Sequence, residues 1–112
     1  MILNFRRAEF DHIVEQSFQR SADTSNFSVT VELFDAMDSL PLDQLNELVA
    51  IFFFGQRQFQ LQTFELARSE AARVGFAGVD LLHKSEDLHG SLTAGVARLE
   101  RGQSVTWSVV AS

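Results

Sequence analysis

Apolar positions recur along most of the chain with a helical period. Between 4 and 20, Phe10, Ile13, Val14 and Phe18 fall at offsets of three, four and eight, one stripe of an amphipathic helix. Asn4 is placed to cap it, and the polar run 21–26 reads as a loop. The stretch 27–40 satisfies two patterns. Phe27, Val29, Val31 and Leu33 alternate as in a half-buried strand, whereas Val29, Leu33, Met37 and Leu40 repeat at helical spacing with Phe34 on the flank. Alternation breaks at Phe34, so the spacing predicts a helix over about 30–38 whose beginning is free to be extended.

Pro41 suits a first helical turn, with Asp38 or Ser39 as cap and Asp43 matching the helix dipole. Leu45, Leu48, Val49, Phe52 and Phe53 form one face of that helix, and Gly55 stops it. Ile51 and Phe54 point well away from this face. A helix that becomes apolar all round is surrounded, either at the centre of a bundle or under another chain. The next helix is predicted over about 60–74, with Leu61, Phe64, Ala67 and Ala71 inward and Gly75 after it. Residues 79–82 read as a short helical turn or docking segment. Ser85, followed by Glu86 and Asp87, starts a last helix with Leu88, Leu92, Val96 and Leu99 on one face, ended by Gly102. In the tail, 103–112, Val105, Trp107 and Val109 alternate with Thr106 and Ser108, echoing 27–31. The expected fold is a single all-α domain over 1–112, a bundle of about five helices, with room for a short two-stranded β-ribbon formed by 27–31 and 104–110.

Composition narrows the function classes. The chain has no Cys, which removes disulfides, thiolate catalysis and Cys-ligated zinc or iron–sulfur centres. Its net charge of −6 has the wrong sign for electrostatic capture of nucleic acid. The apolar run ending at Phe54 is far shorter than the roughly twenty residues that a membrane span needs. Arg6 and Arg7 follow the apolar start rather than precede it, the reverse of a secretory signal, so a soluble cytoplasmic protein is expected. Eleven Phe and no Tyr favour dry surfaces, a core or an interface, over polar binding sites.

Candidate chemistry is sparse. Glu-x-x-His occurs twice, as Glu9 with His12 and Glu86 with His89, the spacing used in carboxylate-bridged di-iron bundles. On a helical wheel His12 lies nearly opposite the apolar stripe, and each pair sits in the first turns of its helix. These are read as solvated helix-start residues, with no metal and no cofactor expected. His83, Lys84, Ser85, Glu86, Asp87 and His89 form the densest polar cluster, read as a loop and a dipole-matched helix start. There is no nucleophile elbow and no Gly-rich phosphate loop. The most distinctive string is Phe52-Phe53-Phe54-Gly55-Gln56-Arg57-Gln58-Phe59.

Leu45, Leu48-Val49-Ala50-Ile51, the aromatic run, Gly55 and Phe59 resemble the middle of a small bacterial domain family of unknown function. Its members join a Glu-Leu-Val-Ala-Leu helix to a Gly-Arg-Gly-Asp-Phe turn. Leu81-Leu82 and Gly95-Val96 are similar to that family's leucine pair and closing glycine. The likeness spans Leu42 to Leu99 and departs at the turn, where Gln56-Arg57-Gln58 replaces Arg-Gly-Asp. It implies a mostly helical fold and supplies no activity or functional residue.

Two functions are expected. The first is a non-enzymatic interaction module that self-associates as a homodimer through Ile51, Phe52, Phe53, Phe54, Phe59 and Trp107. The second is a small-molecule binding domain in which the Phe-rich helix lines an apolar pocket and Arg57, His83 or His89 fixes a polar group. A metal-dependent enzyme on Glu9, His12, Glu86 and His89 is a distant third.

Overall fold

In a computed structural model, which describes residues 3–22, 27–56, 63–85, 87–102 and 105–107, every regular element is a helix. These are α1 (Arg7–Ala22), α2 (Phe27–Asp38), α3 (Leu42–Gly55), α4 (Phe64–Val74), a 3₁₀ turn (Gly75–Ala77), α5 (Gly78–Lys84) and α6 (Leu88–Gly102). The all-α bundle is as expected. Helix α3 runs through its centre, packed most extensively on α6 and α4 and also on α5, while α1 bridges α2 and α6.

The central place of α3 follows from its sequence. Every residue from Glu47 to Phe54 is buried, so its apolar circumference is enclosed by neighbours within one chain. Its approach to α6 depends on two glycines. A Cβ on Gly95 would lie 2.0 Å from the carbonyl oxygen of Ile51, and one on Gly55 would lie 1.8 Å from that of Ser91. The two backbones are therefore in contact at the crossing, with no room for any side chain there.

The β-ribbon is not formed. Residues 27–31 belong to α2, which begins three residues before the expected helix, at Phe27. Of the tail, 105–107 are described, and their main-chain contact is with the N-terminal segment: the Leu3 N–H donates to the Thr106 carbonyl at 2.9 Å. Helical spacing outweighed alternation over 27–31 because Leu33 and Met37, both fully buried, continue the helical pattern into the core.

Other helix starts also differ from expectation. Asn4 does not cap α1. Leu3 and Phe5 are buried on a non-helical strap, and the helix starts only at Arg7, with the Arg6 carbonyl accepting from the Phe10 N–H. Pro41 itself is the N-cap of α3, without a side-chain cap bond, while the Ser39 hydroxyl donates to the Ala36 carbonyl. Helix α4 begins at Phe64 behind Thr63, whose hydroxyl accepts from the Leu66 N–H at 3.3 Å. At α6 the capping group is Asp87, accepting from the Gly90 N–H at 3.1 Å, and not the expected Ser85, which closes α5 as its C-cap. On α1 the buried face runs through Phe10, Ile13, Gln16 and Ser17, leaving Phe18 55% exposed rather than in the stripe.

Candidate functional site

The end of α3 meets the junction of α5 and α6 in an open groove of about 500 Å³. Phe52 and Phe53 from α3 and Leu81 from α5 give it an apolar side. Gln56, Lys84, Ser85, Asp87 and Ser91 give it a polar one. Lys84 lies in the last turn of α5, where a cation suits the helix dipole. Asp87 is committed to capping α6. The α5–α6 connection is tied down from behind by Arg20 of α1, whose Nη2 donates to the carbonyl of His83 at 2.7 Å and to that of Ser85 at 3.3 Å. A half-buried guanidinium thus fixes the segment that carries Lys84 and Ser85.

The structure separates the sequence-nominated residues. Ile51 is fully buried, and Phe54 is 7% exposed between Phe64 and the Arg98 guanidinium, which lies 4.0 Å from its ring centroid. These two are core residues, enclosed by neighbours within the chain. Phe52 and Phe53 are core residues that also line the groove. Trp107 is half-buried, tilted on Phe10 at 5.3 Å and covered by Arg7 at 5.0 Å. Arg57, Phe59 and Glu86 lie outside the described residues.

His83 sits beside the groove, edge-on to Phe34 at 5.0 Å, with its Nδ1 buried and without a hydrogen-bond partner. His89 packs on Phe18 at 5.0 Å. Glu9 pairs with Arg6 and His12 is exposed, and the two line one hollow of about 350 Å³ with Ser39, Pro41 and Gln44, apart from His89 on α6. Among the described residues no group of three or more His, Asp or Glu is placed to hold a metal ion.

Glu47 carries no mark in the sequence pattern beyond being a carboxylate next to an apolar run, yet it is the most deeply buried charge described. It is 2% exposed. The Asn4 N–H lies 2.8 Å from each of its oxygens, and the Phe5 N–H lies 3.1 Å from Oε1. Burial pushes its carboxyl above the ordinary 4.5, against the pull of those two amides and of Arg68, with Asp43 adding a smaller push upward. Beside it, Asn4, Asp43, Asn46, Arg68 and Ser69 line a polar hollow of about 360 Å³, in which the Asn46 Oδ1 is buried without a partner.

No family model, no curated protein and no solved structure matches the chain. The likeness to the bacterial domain family therefore remains a likeness of local sequence and assigns no role to any residue.

Proposed function

We propose that the chain is a non-enzymatic binding domain for a small amphipathic anion, held in the groove between α3, α5 and α6. One observation carries this reading: apolar walls from Phe52, Phe53 and Leu81 face a rim with one ammonium, Lys84, and one carboxylate, Asp87, whose Oδ1 is engaged by the Gly90 N–H, in a space of about 500 Å³. That volume falls in the range of roughly 300–1,000 Å³ usual for ligand pockets. Lys84, rather than the neighbouring His83, is the group expected to meet the ligand's charge, while Arg57 lies outside the described residues. The hydroxyls of Ser85 and Ser91 and the Gln56 amide are the hydrogen-bonding groups. Binding is favoured over turnover because neither the Ser85 nor the Ser91 hydroxyl shares a hydrogen bond with a histidine or with the Asp87 carboxylate among the described residues, the nucleophile–base pairing that covalent catalysis needs.

The test is titration calorimetry with octanoate, decanoate and phenylacetate as probes, paired with the corresponding alcohols. Carboxylates are expected to bind better than alcohols. Lys84→Ala should remove that preference while leaving the circular dichroism spectrum unchanged, and Leu81→Trp should block the groove to all probes. No heat and no thermal shift at millimolar probe, or binding untouched by Leu81→Trp, would defeat the proposal.

A further inference from the structure

We infer that the polar hollow between α3 and α4 is a binding site for a small zwitterion, a free α-amino acid with a short side chain. Asp43 stands three and four residues before Asn46 and Glu47 on α3. Ala72 stands three and four residues after Ser69 and Arg68 on α4. Each set therefore shares one helix face, and the two faces wall a space of about 360 Å³, with Asn4 of the strap joining the lining.

The two walls are opposite in chemistry. The α3 wall presents acceptors: two carboxylates and the Asn46 Oδ1, which is buried with no donor. The α4 wall presents donors, the Arg68 guanidinium and the Ser69 hydroxyl, and neither has a hydrogen bond or ion pair with a described residue. Arg68 is near enough to pull the Glu47 carboxyl downward, yet the two are not paired. Glu47 is satisfied from the main chain, by the N–H groups of Asn4 and Phe5. Asp43 Oδ1 takes the Gln44 N–H at 2.9 Å. The Asn46 Oδ1 and the Arg68 guanidinium are left lining open space.

What the hollow lacks is one group that donates to α3 and accepts from α4. A buried carbonyl oxygen without a donor is costly, so the Asn46 Oδ1 marks where that donor belongs. An ammonium there meets Asn46 and Asp43, while a carboxylate beside it meets the guanidinium fork of Arg68 and the Ser69 hydroxyl. A bare anion faces two carboxylates against one guanidinium, and a bare cation leaves Arg68 unmatched. A zwitterion answers both walls at once. Ala72 is the single apolar lining residue, so nothing there would hold a long apolar side chain, and glycine, alanine and serine fit best. The site shares no residue with the groove between α3, α5 and α6.

The test follows the amide NMR signals of Asn46 and Ser69 in the full chain. Glycine and alanine are expected to shift both, with a Kd of roughly 1 mM. Acetate and methylamine each carry half of the zwitterion and should bind at least about tenfold more weakly. Arg68→Gln and Asp43→Asn, both at exposed positions, should each weaken glycine by about tenfold. No shift with the amino acids, acetate or methylamine matching glycine, or binding indifferent to either substitution overturns the inference. Where a variant is unstable, the probe series on the wild-type chain decides alone. Signals of Ser85 and Ser91 report the other groove, so failure at one site is distinguishable from failure at the other.

Discussion

Replacing Gly95 with alanine tests the backbone contact on which the bundle is built. In an ordinary helix interior the change is favourable, because alanine is the better helix former by about 1 kcal/mol. Here the added Cβ would lie 2.0 Å from the Ile51 carbonyl oxygen and 3.0 Å from the Ile51 Cγ2. Relieving the first contact needs a separation of more than roughly 1 Å, since close-packed interiors leave no slack to absorb it. The obstacle is main chain in the central helix, which cannot swing aside as a side chain could. Forced overpacking of a core costs about 1–3 kcal/mol and occasionally more. The upper part of that range applies, because α3 also packs on α4 and α5 and cannot shift alone.

Gly95→Ala is therefore expected to lose about 2 kcal/mol net after the propensity gain. For a domain of this size that lowers the thermal midpoint by roughly 5–15 °C. Gly102→Ala is the control. It lies at the end of the same helix, where a Cβ meets nothing within 4 Å, and should be neutral or mildly stabilising. Circular dichroism melts and urea titrations of the two variants beside wild type supply the numbers. If Gly95→Ala matched Gly102→Ala in midpoint, the close crossing would be refuted.

Three further outcomes follow from other sites. The folded chain holds the Glu47 proton more tightly than the unfolded chain does, because burial raises that carboxyl above 4.5. Stability contributed at low pH is therefore lost as pH rises through the raised value. Glu47→Gln should flatten that part of the profile in urea titrations run across the acid-to-neutral range, and an unchanged slope would show that other groups cause it. Gly75 has φ +60° with open space around its missing Cβ, so Gly75→Ala should cost about 1–3 kcal/mol through backbone strain alone. An unchanged denaturation midpoint would contradict that. Removing the Arg98 guanidinium from the Phe54 ring and carbonyl, by Arg98→Ala, should cost about 1–2 kcal/mol and Arg98→Lys less. Loss in Arg98→Ala with none in Arg98→Lys would point to packing of the aliphatic stem instead.

Much of the fold is legible in the sequence because helical period is a local signal. The stripes of Leu45–Phe53 and Leu88–Leu99 and the stop at Gly75 can all be read from spacing and residue type. The same logic fails at 27–31. There alternation and helical period coexist over a few residues, and only burial of Leu33 and Met37 against other elements decides between them. Of the site, Phe52 and Phe53 are legible as aromatic surplus. Gln56, Leu81 and Ser91 are not, since their meeting depends on how α3, α5 and α6 are placed.

By itself the sequence determined that α3 must be surrounded: a helix apolar on every side has no stable place in water. Whether neighbours in the same chain or a second molecule would surround it was left to the tertiary structure, because that depends on how closely the helices approach. Gly55 and Gly95 bring α3 and α6 into backbone contact at Ile51, and Phe64 and Arg98 close over Phe54, so one chain encloses both residues. The clamp at Glu47 was equally a tertiary outcome. A carboxylate is tolerated at that depth only where main-chain N–H groups from a distant segment replace the water it loses.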